Sequence, residues 1–183
     1  RAAAAILAAD GSGGRPPAKF IETLGEERLH PHQVSAVRRI ELALQELGGA
    51  LLCDEVGMGK TFVALAVARR FERPIVVAPS VLRHMGTRQS QLAEVPIPFI
   101  SFEALSHGKT VAGRFDLVIV DEAHHVRNPA TRRYRELTRM TIGSRVLLLS
   151  ATPIHNTRAH PTALLSIFLG SGGEPTGPAA LDR

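Results

Sequence analysis

The sequence predicts an α/β domain: a doubly wound parallel sheet with helices on both faces. Three observations predict it. Short apolar runs alternate with longer helical patterns along the chain. The runs IVVA, LVIV and VLLLS are apolar at consecutive positions, as in strands covered on both sides. The residues able to do chemistry stand just past the ends of these runs, where such sheets bind ligands.

Taken in order, residues 1–20 are Ala-rich and then Gly/Pro-rich (DGSGGRPP), which predicts a loose lead-in. A helix is predicted over His32–Leu47 and a strand over Ala50–Cys53. A glycine-bearing loop follows, then a helix over Lys60–Phe71. That helix is apolar on most sides (FVALAVA), with Arg69 and Arg70 in its last turn. Next come a strand at Ile75–Ala78, a helix at Val81–Ala93 and strands at Ile97–Phe102 and Leu117–Val120. A helix at Ala130–Met140, a strand at Val146–Ser150 and a helix at Pro161–Leu169 complete the pattern. From Ser171 the sequence SGGEPTGPAALDR reads as a linker. The expected organisation is a lead-in at 1–20, a nucleotide-binding domain at 21–170 and a linker at 171–183. The chain begins with Arg1 rather than Met, so a piece of a longer protein is expected.

At 183 residues, 44% hydrophobic and a mean hydropathy of +0.05, the composition is globular rather than disordered. The 22 Lys and Arg exceed the 17 Asp and Glu, for a net charge of +5. That balance points to an anionic partner, nucleic acid first, or to a merely soluble Arg-rich surface. A single cysteine, Cys53, excludes an internal disulfide and makes reducing cytoplasm the default. The longest apolar run, AAAAILAA, is too short to span a bilayer, so no membrane association is expected. His107, His125, His155 and His160 have no metal-ligand spacing with Cys53, and neither H-E-x-x-H nor G-x-S-x-G occurs.

The first chemical motif is LLCDEVGMGKTF, Leu51 to Phe62. Its end matches a phosphate-binding loop, G-x-x-x-x-G-K-[S/T], although Asp54 stands where the first glycine belongs. Gly57 and Gly59 can take backbone angles that turn N–H groups towards phosphate oxygens. The helix that follows points its positive end at the same place. Lys60 suits the β and γ phosphates, and the Thr61 hydroxyl suits magnesium. The second motif, DLVIVDEAHHVRN, delivers Asp121 and Glu122 at the end of an apolar strand. Phosphoryl transfer needs a carboxylate on magnesium and a group that positions or deprotonates water, roles that fit Asp121 and Glu122 respectively. The third, VLLLSATPIHN, places the hydroxyls of Ser150 and Thr152 beyond another strand, which Pro153 ends. On the predicted helix at 130–140, Tyr134, Leu137 and Met140 share an apolar face, while Arg132, Arg135 and Arg139 form a stripe elsewhere. Between Ala123 and Gly173 there are seven arginines, no lysine and one acid, Glu136. The stripe suits phosphate contacts, or is simply a solvated helix face.

The ordered set DEVGMGKT, DEAH and SATP resembles the N-terminal RecA-like lobe of superfamily 2 helicases, and more closely the Swi/Snf-like ATPases. That family favours D-E-x-G-x-G-K-T, so Asp54 reads as a family variant. LHPHQVSAV resembles its adenine-reading segment, with Gln33 on the base. IVVAPSVL resembles the motif whose Pro79 and Ser80 lie near the nucleic-acid track, and FISFEAL and LLSIFLG resemble later segments. The resemblance covers roughly Leu29 to Leu169. The family's tryptophan after P-x-S-L-L has no counterpart here, where His84 or Met85 stands near that place, and His125 replaces a more usual Arg or Lys. The resemblance implies ATP and magnesium held by Asp54, Glu55, Gly57, Met58, Gly59, Lys60 and Thr61 together with Asp121. It also implies coupling of the site to motion through His124, Ser150 and Thr152. Duplex DNA and a second RecA-like lobe of the same protein are the implied partners, and without that lobe turnover would be weak. A strand-separating helicase, a restriction-type motor and a non-catalytic nucleotide-sensing module stay as alternatives. The weak compositional lean is bacterial and nucleoid-associated; the setting would be nuclear in a eukaryote.

Overall fold

The computed structural model describes residues 6–7, 23–24, 27–53, 59–92, 94, 96–150 and 164–168. The sheet has six strands. In chain order they are β1 (Ile6–Leu7), β4 (Gly49–Cys53), β5 (Pro74–Ala78), β6 (Phe99–Ser101), β7 (Leu117–Val120) and β8 (Arg145–Ser150). Every pairing between them is parallel, in the spatial order β1-β4-β8-β7-β5-β6. A separate two-stranded hairpin joins β2 (Thr23–Leu24) to β3 (Glu27–Arg28).

The consecutive apolar runs have a direct structural cause. Successive strand residues point to opposite faces. On β7, Leu117 and Ile119 enter one core while Val118 and Val120 enter the other. On β8, Leu147 and Leu149 join the first core, and Val146 and Leu148 the second. Helices α1 (Pro31–Leu47) and α2 (Lys60–Ala68) cover the first face. The second face is covered by α4 (Phe102–Ser106), α5 (Arg132–Thr141) and a helical turn at 164–168. Each fully buried Val or Leu in these layers contributes roughly 1.5–3 kcal/mol. The turn at 164–168 seats Phe168 directly on β4. A Cβ added to Gly49 would collide with that ring, so the close approach requires glycine.

Several boundaries differ from the sequence reading. The lead-in expected to be loose contributes β1 to the sheet edge. Helix α2 ends at Ala68, so Arg69 and Arg70 lie just beyond it, where Arg70 pairs with Glu41 at 3.1 Å and Arg69 donates to the Thr23 carbonyl. The helix predicted from Val81 begins as a 3-10 turn, Ser80–Leu82, and continues as α3 (Arg83–Leu92). Phe102, expected inside a strand, instead starts α4, because the Ser101 hydroxyl accepts the Ala104 N–H at 3.1 Å and caps a new helix there. The predicted apolar face of α5 is present: Leu137 is fully buried and Tyr134 and Met140 pack on the same core.

Candidate nucleotide site at the carboxyl edge of the sheet

Strand order brings the three motif-bearing strands side by side, β4 next to β8 and β8 next to β7. Cys53 lies opposite Ser150, and Val120 opposite Leu148. The carboxyl ends of these strands therefore share one edge. Asp54, Glu55, Gly57, Met58 and Thr152 lie outside the described residues.

Gly59 begins α2 with φ 76°, in the left-handed region where a side chain is strained. A Cβ there would also strike the Gln33 amide nitrogen. Gln33 is 6% exposed, and its Oε1 accepts the His30 N–H at 2.9 Å. The residue assigned to adenine is thus packed against the first turn of α2, beside Lys60 and Thr61. Its carbonyl oxygen closes the start of α1.

Asp121 continues the odd-numbered set of β7, so it faces α2. It lines a cavity of about 500 Å³ together with Thr61. Its amide donates to the Val77 carbonyl at 2.9 Å, which fixes the strand end, and its Oδ1 accepts the Glu122 N–H at 2.9 Å. Burial raises the Asp121 carboxyl above its ordinary pKa, and the Glu122 carboxylate adds to that; the Glu122 amide and the Lys60 charge oppose it. The charge of Lys60 therefore reaches the Asp121 carboxylate, and Thr61 lines the same cavity. An ammonium, a hydroxyl and a carboxylate form a donor set fit for a triphosphate and a hard divalent cation.

Glu122 has φ 53° and ψ 49°. A non-glycine residue in that region costs about 1–3 kcal/mol, so the surrounding fold imposes it. The kink turns the chain out of β7 into a 3-10 turn, Ala123–Val126. There His124 Nδ1, buried and without an in-line hydrogen bond, lies 3.1 Å from Glu122 Oε2. The His125 ring packs at a tilt against His124, 4.3 Å between centroids, and against Phe102 at 5.7 Å. Burial, His124 and Arg133 lower the His125 pKa, against Glu122 and Glu103. Ser150 is buried and belongs to the β8 set that faces this turn rather than α2.

Glu103 was not singled out by the sequence reading. Its Oε2 accepts the Ser80 N–H at 3.1 Å and ties the turn after β5 to α4. Its own amide, with the Ser101 hydroxyl and the Ser80 amide, holds the Glu103 carboxyl below its ordinary pKa. An acid in the first turn of a Ser-capped helix was the available signal. Ser80 is exposed at the edge, whereas Pro79 is buried. Arg132, Arg135 and Arg139 are all exposed. Arg132 starts α5 and lies over Gly108, while Arg139 pairs with Glu136 at 3.0 Å. Helix α5 begins with Arg132 after the turn that follows β7 and ends shortly before β8, so Arg135 and Arg139 lie successively further along it.

Residues 72–172 match the model of the SNF2-related domain, more than half of the chain. The chain belongs to the SNF2-related domain family. It is 31% identical over 140 positions to the SWI/SNF-related matrix-associated actin-dependent regulator of chromatin subfamily A-like protein 1 of Xenopus laevis, covering 62% of this chain and 14% of that protein. An uncharacterized ATP-dependent helicase of Bacillus subtilis is 28% identical over 152 positions, covering 69% of this chain and 27% of its own length. The SNF2-related chain thus spans well under a third of these relatives. Its fold matches the Sulfolobus solfataricus SWI2/SNF2 ATPase core in complex with dsDNA, with a TM-score of 0.70 at 19% identity, over 85% of this chain and 39% of that one. The likeness supports a RecA-like α/β fold.

Proposed function

We propose that this chain is the ATP-binding lobe of a DNA-dependent ATPase that couples hydrolysis to movement along duplex DNA. The observation that carries the reading is the meeting of Thr61 and Asp121 at one cavity, within reach of the Lys60 charge, in a chain of this family. Lys60 binds the β and γ phosphates, and Thr61 and Asp121 hold magnesium, which neutralises charge on the phosphates. Glu122 orients the attacking water and takes its proton; the left-handed kink aims its side chain apart from that of Asp121. Gln33 reads the adenine, with Gly59 and the preceding loop from Asp54 cradling phosphate.

His124, against Glu122, and Ser150 and Thr152 from β8 pass the state of the site to the rest of the motor. DNA phosphates meet Ser80 and the arginines of α5, Arg132 before Arg135 and Arg139. The domain spans 21–170, and residues from 171 lead to a second RecA-like lobe. That lobe supplies arginines to the transition state, a contribution on the order of 10³ to 10⁵ in rate in related chemistry. Among the described residues no helix is long and apolar enough to cross a membrane, and a nucleoid or nuclear setting suits a DNA motor.

Calorimetry with magnesium and ATP tests the lobe. Saturable heat that disappears in Lys60→Ala is expected, and no heat with the intact protein would reject the reading. Rapid DNA-stimulated turnover by this chain alone would reject the need for a second lobe.

A further inference from the structure

The DNA contact proposed at Ser80 meets an obstacle within the fold, because Ser80 is already bound to an anion. The Glu103 Oε2 accepts the Ser80 N–H at 3.1 Å, and the Ser80 hydroxyl donates to the same carboxylate. A serine has only these two protons to donate. Both are turned towards Glu103. The acid is held there from its own side as well. It lies in the first turn of α4, where the Ser101 hydroxyl caps the helix by accepting the Ala104 N–H at 3.1 Å. Its neighbours on that helix, Phe102 and Leu105, are buried in the core of the second face. Ser80 and Glu103 are nonetheless both exposed, so the pair is open to an anion from solvent. A carboxylate and a phosphate oxygen accept the same hydrogen bonds, and two such charges side by side repel.

We propose that Glu103 is an internal competitor of the nucleic acid: its carboxylate fills the place of a DNA phosphate at Ser80 and is displaced when DNA binds. The residue thereby sets how tightly the lobe holds DNA, through repulsion rather than contact. Removing it strengthens binding, the reverse of what loss of a polar anchor does. The inference rests on the DNA contact proposed for Ser80, and the test separates the two.

The test measures the affinity of the whole chain for a short mixed-sequence duplex by fluorescence anisotropy, at one fixed salt concentration. Glu103→Gln and Glu103→Ala should both bind about tenfold or more tightly than the unaltered chain, the scale of one relieved like-charge contact. Glu72→Gln removes an exposed acid at the opposite edge of the sheet and should change affinity by at most about twofold. In the unaltered chain, the Glu103 Cδ and Ser80 amide resonances should shift together as duplex is added. Four results would each overturn the inference while leaving the DNA reading intact. They are a bound duplex with an unmoved Glu103 Cδ, no gain in Glu103→Gln, an equal gain in Glu72→Gln, or weaker binding by Glu103→Ala, which would make Glu103 a support for the turn. No binding by the unaltered chain or either Glu103 variant would reject the DNA reading, and the inference with it.

Discussion

Two aspartates flank strand β7, and they live differently. Asp116, just before Leu117, accepts the Glu72 N–H at 2.7 Å and the Arg73 N–H at 2.9 Å, one on each carboxylate oxygen. It clamps the turn between α2 and β5. The surrounding groups are closed in the same way: the Arg145 N–H donates to the Asp116 carbonyl and the Ser144 hydroxyl to the Phe115 carbonyl. Asp121, just after Val120, is more deeply placed, takes the Glu122 amide on Oδ1, and has its pKa raised by burial. A carboxylate that serves structure spreads its charge over backbone amides. Asp121 instead bears a desolvation cost that the Glu122 amide and the Lys60 charge only partly offset. The amino edge of the sheet is built for stability, and the carboxyl edge holds polar groups in reserve.

The comparison can be broken by substitutions, from the largest effect down. Glu122→Gln in a two-lobe protein should cut ATP turnover by about 10²- to 10⁴-fold, the range for a lost general base, with nucleotide binding retained in calorimetry. The aspartates should then part company. Asp116→Ala should lower unfolding stability by about 1–3 kcal/mol in urea titrations and leave magnesium-ATP binding intact. Asp121→Asn should abolish magnesium dependence and yet raise the melting temperature of the nucleotide-free chain. If both substitutions moved stability the same way, the distinction between the edges would fail.

The pH dependence sharpens it. A carboxyl whose pKa is raised on folding contributes most below the ordinary carboxylate value, near about 3.9, and loses that contribution as pH rises through its folded pKa. The stabilisation by Asp121→Asn should therefore vanish in acid and be full at neutral pH, measured by melting at each pH. Gly49→Val, on the amino edge, should cost about 1–3 kcal/mol by forcing Phe168 off β4. Smallest is Gly86→Ala, which should stabilise the nucleotide-free chain by up to about 1 kcal/mol through helix propensity alone.

Much of this was legible in the sequence for a physical reason. Strands buried on both faces have no polar alternation, and LVIV and VLLLS announce that directly. The acids after Val120 and the Gly-Lys-Thr that opens α2 mark the edge where they meet, and the parity of β7 sets which acid faces α2. What stayed hidden depends on long-range contact. The two residues of β1, Ile6 and Leu7, are too short a run to mark a strand by pattern, and the strand is defined by their pairing with β4. The switch from β6 to α4 has a local signal in Ser101 and Glu103, but the apolar FIS run extends the strand pattern across it. Gln33 had a role by resemblance, while its fit against Gly59 needs α1 laid across the start of α2. Arg132, Arg135 and Arg139 do fall on one helix, α5, and are exposed there.

The kink at Glu122 leaves a trace for comparative work. Glycine at that position would accept the same backbone without strain, and asparagine nearly so, but neither could deprotonate water. On the role proposed for Glu122, a descendant lobe freed from hydrolysing ATP would gain stability by drifting to either residue, while a working motor would keep the strained glutamate. Position 122 should therefore separate living engines from retired ones among close kin, before any assay is run.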